Sequence, residues 1–270
     1  MIEIRDVHKR FNPGSVNEVY ALRGLSLDIP AGQFVTVIGT NGSGKSTLLN
    51  ALAGEFAPDT GSVFIAGRDV TAAKEHERAR LVARVFQNPF MGTVPGMSIA
   101  ENLHMASLRG NTALPRLGLN RSHRQQYRER IRALEMGLED RMDNAIGSLS
   151  GGQRQALTLL MAVINTPQVL LLDEHTAALD PKSAAQVIKL TQQFVARMGL
   201  TTLMVTHSMR QALDLGERTV MMHRGQVIED IPLAEKRRLT TEDLLERFAE
   251  LRKGELLNEE LLEELRRGYA

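Results

Sequence analysis

Val35-Thr36-Val37-Ile38 runs straight into Gly39-Thr40-Asn41-Gly42-Ser43-Gly44-Lys45-Ser46-Thr47, and Leu48, Leu49, Asn50, Ala51 and Leu52 follow. Four β-favouring residues, a glycine-rich turn and a run of helix formers read as strand, loop and helix. The spacing is G-x-x-x-x-G-K-S. Such glycines let backbone N–H groups wrap a β-phosphate at the N-terminus of the helix, where unpaired donors and the helix dipole favour an anion. Lys45 then reaches the β- and γ-phosphate oxygens, and the Ser46 hydroxyl is placed to ligate Mg²⁺. The competing reading is an ordinary strand-to-helix turn that matches by chance. The strand ahead of the loop and the helix behind it argue against that.

Composition sets the frame around this loop. The chain has 270 residues, 43% hydrophobic and 24% charged, enough to bury the core of one domain with an inserted subdomain. Lys plus Arg is 33 against 32 for Asp plus Glu, so a net charge of +1 gives no whole-protein argument for nucleic acid or an anionic membrane. Cysteine is absent, which excludes disulfides, thiolate catalysis and Cys-ligated zinc. Met1 to Asp6 alternates like a strand and lacks the basic-then-apolar pattern of a signal peptide. The longest apolar runs, such as Leu157 to Ile164, fall far short of the ~20 residues that cross a bilayer. Any role at a membrane therefore calls for another subunit to supply the span.

Along the chain, Ile2 to Val7 and Ala21 to Ile29 read as strands of an antiparallel flap, separated by the turn Asn12-Pro13-Gly14-Ser15. Phe11 and Tyr20 lie in this lead-in, each either a core or edge aromatic or a stacking platform for a base. Ser62 to Ala66 is a short strand after the turn at residues 57–61. From Ser98 to about Gly147 the chain reads mainly helical, opened by the capping box Ser98-Ile99-Ala100-Glu101. Its Arg-rich stretch, Arg116 to Arg132, places Arg124, Arg128 and Arg132 at helical spacing with Glu129 between them. That pattern reads as a solvated face rather than a nucleic-acid patch. Ser150 is a natural N-cap for a helix through Ile164. Val169 to Leu172 is a continuous apolar strand ending in Asp173 and Glu174, Asp180-Pro181 opens another helix, and Thr201 to Thr206 is a strand ending at His207. A hairpin, Arg218 to Ile228, precedes a polar helical tail from about Thr240.

Three residue sets thus end three apolar strands: Gly39 to Thr47, Asp173 with Glu174, and His207. In open α/β sheets ligands bind outside the carboxyl ends of the strands, so this convergence is what a nucleotide site requires. Asp173 is assigned to Mg²⁺, directly or through water, Glu174 to orienting and deprotonating the attacking water, and His207 to the γ-phosphate.

With these in place the sequence resembles the ATP-binding cassette (ABC) family over nearly its whole length. Leu149-Ser150-Gly151-Gly152-Gln153 is similar to that family's signature motif. The resemblance implies an α/β fold with a mostly parallel P-loop NTPase sheet, an N-terminal antiparallel β flap and an inserted helical subdomain. It implies ATP and Mg²⁺ as cofactors and ATP hydrolysis as the activity. Phe11 resembles the adenine-stacking aromatic, Gln87 the lid glutamine that senses Mg²⁺ and the transmembrane partner, Asp180 the dimer-contacting aspartate, and His207 the switch histidine. The family usually has Pro after the catalytic glutamate; here His175 stands there, and a variant turn with intact hydrolysis is expected.

The signature carries a physical argument as well. A helix starting at Ser150-Gly151-Gly152 points N–H groups and a positive dipole end at an anion, yet the phosphate loop already surrounds the β-phosphate. A second donor set suits the γ-phosphate held by a second subunit, so a head-to-tail homodimer sandwiching two ATP molecules is expected. Residues 1–246 are expected to form the ATPase domain, with a helical subdomain over about 88–150, and 247–270 a helical tail. Segment Asp140 to Ser148 lacks the glutamate-and-glycine loop of exporters and is similar to stand-alone importer subunits. Asn12-Pro13-Gly14-Ser15-Val16-Asn17-Glu18, Asp173 to Lys182 and Met221-Met222-His223 resemble a bacterial group of such subunits. That resemblance implies an integral-membrane permease and a periplasmic or lipoprotein substrate-binding protein as partners, with tryptophan or tyrosine a common cargo label. The protein is expected at the cytoplasmic face of the membrane, with no nucleic-acid partner. A soluble cassette ATPase acting in assembly or repair is the rival reading, and a non-catalytic nucleotide-binding regulator the third.

Overall fold

A computed structural model describes residues 1–110 and 118–250. Strand β1 (Ile2–Phe11) turns Ile2, Ile4 and Val7 inward and pairs antiparallel with β2 (Val19–Ile29). Strand β3 (Phe34–Gly39) enters the glycine-rich loop and α1 (Lys45–Ala53) leaves it. Strand β4 (Thr60–Ile65) then pairs with the other edge of β1, and β5 (Arg68–Asp69) pairs with β4. The flap is therefore a four-stranded antiparallel sheet, β2-β1-β4-β5. It is wider than the two strands legible ahead of the loop, because β4 returns to it from beyond α1.

The short α2 (Glu75–Arg78) leads to β6 (Val82–Val85), after which come α3 (Ile99–Leu108), α4 (Arg121–Arg132) and α5 (Gly151–Val163). Then follow β7 (Val169–Asp173), α6 (Pro181–Met198), β8 (Thr201–Val205), α7 (Met209–Asp214), β9 (Arg218–His223), β10 (Gln226–Pro232) and α8 (Leu233–Lys236). The second sheet runs β10-β9-β3-β8-β7-β6, parallel except for the β9–β10 hairpin. Its central strands read as unbroken apolar runs because both faces are covered. Alternate residues of β7 show this: Val169 and Leu171 pack toward α1 and the flap, whereas Leu170 and Leu172 pack toward α5 and α6. Truncating any of the three leucines to Ala costs about 2–5 kcal/mol.

The capping box at Ser98 forms, with Glu101 N–H donating to Ser98 Oγ at 3.2 Å and Ser98 N–H donating to Glu101 Oε2 at 2.7 Å. Helix α4 buries Tyr127 and Ile131 and keeps its arginines outward, Arg124 pairing with Asp143 at 2.7 Å and Arg128 donating to the Glu139 carbonyl. The helical run toward Gly147 is broken rather than continuous: after α4 the chain turns through Glu135 (φ 55°) and Gly137 (φ 65°), and a single 3-10 turn, Ile146–Ser148, precedes the signature. Residues 241–250 are helical and bury Leu244 and Phe248 against Ile38, Met221 and Ile231. Arg116 and most of the expected tail, with Leu251, Leu256, Leu257, Leu261, Leu262 and Leu265, lie outside the described residues. Among the described residues no helix is long and apolar enough to cross a membrane.

Candidate active site

The phosphate loop is built so that nothing of its own satisfies the start of α1. Gly44 occupies the N-cap at φ 96°, with no capping side chain, and a Cβ there would stand 2.7 Å from the Ala21 carbonyl. First-turn N–H groups left without a cap are what an anion needs. Lys45 is buried, its Nζ donating to the carbonyls of Gly39 and Thr40 at 2.9 Å each. Burial pushes its pKa down, opposed by the carboxylates of Glu174 and Asp173.

A cleft of about 730 Å³ gathers Asn41 to Thr47, Gln87, Glu174, His207 and Phe11. Gly39 and Thr40 line the adjoining cleft with His207 and Arg224. Phe11 is partly exposed, meets Phe56 edge-on at 5.3 Å, and lies at the mouth of the cleft. Tyr20 instead hydrogen-bonds His8 and sits under Arg10, 4.3 Å from the ring centre. Glu174 follows β7 in the left-handed region at φ 45°, its N–H donating to the Val205 carbonyl at 3.0 Å. Such a conformation in a non-glycine residue costs on the order of 1–3 kcal/mol and concentrates at functional sites. It carries the carboxylate to His207, whose Nε2 lies 2.6 Å from Glu174 Oε1. Asp173, one residue earlier, has Oδ2 held by Arg84 at 2.7 Å.

Ser150, Gly151, Gly152, Gln153 and Asp180 do not line that cleft; the structure brings them together as a second cluster. Ser150 and Gln153 form a capping box, each backbone N–H meeting the other's side-chain oxygen at 3.3 Å. The box leaves the N–H groups of Gly151 and Gly152 unused. Gly152 is required by a close approach, since a Cβ would fall 2.5 Å from Ser183 Oγ on α6. Asp180 caps α6 through Lys182 and Ser183 N–H. Hydrogen bonds from the Ser183 side chain first, and then from these N–H groups, lower its carboxyl pKa. Arg154, which no motif reading singled out, organises the segment before the signature. It donates to the carbonyls of Ile146, Gly147 and Leu149 and covers the Phe90 ring at 3.8 Å.

His175 points away from this chemistry. Its side chain is buried in the core, with Nε2 3.0 Å from Thr191 Oγ1. The Thr191 hydroxyl donates to the Val187 carbonyl at 2.9 Å, so the hydrogen facing His175 sits on Nε2 and Nδ1 is a bare acceptor. Nδ1 is buried without a partner, and desolvation pushes the pKa down to about 4.

The profile of the family described as ABC transporter matches residues 22–177. A tyrosine transport ATP-binding protein of Clostridioides difficile is 42% identical, over 92% of this chain and 98% of its own length. A methionine import ATP-binding protein of Histophilus somni is 33% identical over 85% of this chain, which spans 64% of that protein. A dimeric ATP-binding cassette solved in a post-hydrolysis state with ADP and Pi matches with a TM-score of 0.74 at 28% identity, over 86% of this chain and 99% of that one.

Proposed function

The chain belongs to the ABC transporter family as an ATP-binding, ATP-hydrolysing subunit, and on that premise we propose that it energises uptake of a small solute through a separate integral-membrane permease. An amino acid is the first candidate cargo, in line with the names of the tyrosine and methionine relatives. One observation carries the reading: Gln87 joins two surfaces. Its own position lines the nucleotide cleft, while Phe86, Met91 and Val94 around it line an apolar groove of about 360 Å³ closed by Met105 of α3. Met91, Val94 and Met105 line this groove and are exposed. An exposed apolar patch of this kind marks a protein interface. A permease segment seated in it shifts the chain beside Gln87 and so reaches the nucleotide.

Within the cleft, Lys45 and the loop N–H groups hold the phosphates, Phe11 stacks on the adenine, Glu174 takes the proton of the attacking water, and His207 contacts the γ-phosphate. Ser46, Asp173 and Gln87 offer a hydroxyl, a carboxylate and an amide oxygen. This all-oxygen set suits a hard cation shared with substrate phosphates, so the residues fit Mg²⁺. When bound, Mg²⁺ neutralises charge on the β- and γ-phosphate oxygens. Ser150, Gly151, Gly152, Gln153 and Asp180 complete the site of the other subunit in the homodimer. Phosphate release then loosens the dimer, and motion passes to the permease. We assign residues 1–246 to the cassette, about 88–150 to its helical subdomain and 247–270 to a tail. The protein is placed at the cytoplasmic face of the membrane, supplied with solute by a periplasmic or lipoprotein binding protein.

Co-expression with a candidate integral-membrane permease, followed by reconstitution, tests this. Co-purification and ATPase activity stimulated severalfold by permease and binding protein are expected. Full-rate hydrolysis by the lone protein, with no membrane partner retained, supports the assembly-factor reading instead.

A further inference from the structure

Arg84 of β6 belongs to none of the motifs above, yet it ties together the two elements that flank the metal-binding groups. Nη2 donates to Asp173 Oδ2 at 2.7 Å, and Nη1 donates to Asn50 Oδ1 at 2.8 Å while pairing with Glu55. The guanidinium covers the Phe86 ring at 4.7 Å. Asn50 lies on α1 one turn beyond Ser46, and Asp173 ends β7, so a single planar cation connects the helix bearing the hydroxyl to the strand bearing the carboxylate. The side chains of Arg84 and Asp173 are only 12% and 15% exposed, so water does little to loosen this contact.

Two effects oppose each other here. A cation next to a divalent metal repels it, which argues that Arg84 weakens binding. Against that, Glu55 neutralises the guanidinium, and a ligating carboxylate depends on outer hydrogen bonds to fix its orientation. Four anchors on Arg84 (Asn50, Glu55, Asp173 and the Phe86 face) fix its position, which holds Oδ2 of Asp173 and leaves Oδ1 without a bond from Arg84. We propose that Arg84 is a positioning residue for Asp173, orienting its carboxylate for the divalent cation bound with ATP; this rests on Asp173 being a metal ligand. A lysine in its place keeps the charge but loses the planar fork that spans Asn50 and Asp173.

The test titrates Mn²⁺, as an EPR-visible probe, into the full-length protein with a non-hydrolysable ATP analogue. Arg84→Gln is expected to weaken Mn²⁺ binding about tenfold, the scale of losing an outer-shell partner, and Arg84→Lys to recover part of it. Affinity for the analogue in EDTA stays within about twofold of the unaltered protein, which separates positioning from general structural damage. Should Arg84→Gln fail to fold, Arg84→Lys alone decides: Mn²⁺ affinity equal to that of the unaltered protein overturns the proposal. Asp173→Asn separates the two layers. If it weakens Mn²⁺ binding and Arg84→Gln does not, the role of Arg84 is wrong; if Asp173→Asn has no effect, the metal-ligand reading beneath it is wrong.

Discussion

Nε2 of His207 lies 2.6 Å from Oε1 of Glu174, joining the ends of β8 and β7 across the mouth of the phosphate loop. The carboxylate is placed by a strained backbone and by this imidazole, which is itself about half exposed. The residues proposed as base and as γ-phosphate contact thereby touch each other in the folded chain.

Glu174→Gln removes the base but keeps the size and the contact to His207. Steady-state turnover should fall by about 10²–10⁴, the range of general-base catalysis, with ATP still bound. Gel filtration with ATP should show the variant as a dimer. Turnover within a few-fold of the unaltered protein assigns the proton to another group.

His207→Ala removes a restraint on Glu174 and, on the proposed mechanism, a donor to the γ-phosphate. The expected loss is about 10²-fold in kcat with little change in KM for ATP, since the group acts where charge develops. A loss confined to KM points to a binding role only.

His175 gives an acid sensitivity that is independent of catalysis. Neutral in the fold, it takes up a proton only near pH 4, whereas the unfolded chain does so near the ordinary 6.5. Its contribution is complete above about pH 6.5 and is lost as pH falls toward 4, amounting to about 3 kcal/mol. Urea unfolding of His175→Leu at several pH values should show a flatter decline over that window. An unchanged slope refutes the assignment.

Arg154→Met leaves the carbonyls of Ile146, Gly147 and Leu149 short of a buried donor. A destabilisation of about 3 kcal/mol is expected from such unsatisfied groups, read by chemical unfolding. ATP-driven dimerisation should fail while monomer ATP binding persists, because the disturbed segment leads into Ser150 and not into the phosphate loop.

Met105→Glu places a charge on the apolar groove, at a residue that does not line the nucleotide cleft. Basal ATPase should be retained and permease stimulation lost, measured in reconstituted membranes. Unimpaired stimulation removes the groove from the account.

The legible parts of the site were those whose chemistry is contiguous in sequence. Gly39 to Thr47, Asp173-Glu174 and Ser150 to Gln153 are each strand or helix ends, and local spacing states their geometry. Arg84 escaped because its meaning depends on Asp173, 89 positions away, and on Asn50 of α1, 34 positions away. Arg154 escaped because guanidinium-to-carbonyl bonds leave no side-chain pattern to read. The joining of β4 and β5 to the flap is likewise an edge pairing between distant segments, invisible to periodicity. His175 stood out as a departure, yet which way it points is settled by packing against α6.

The chain has no cysteine, so an introduced pair reports without background. Asn41→Cys in one copy and Ser150→Cys in another, in the Glu174→Gln protein, should form an intersubunit disulfide with ATP and Mg²⁺ and not with ADP. ATP-independent crosslinking, or none in an ATP-saturated sample, contradicts two copies closing head to tail over shared triphosphates.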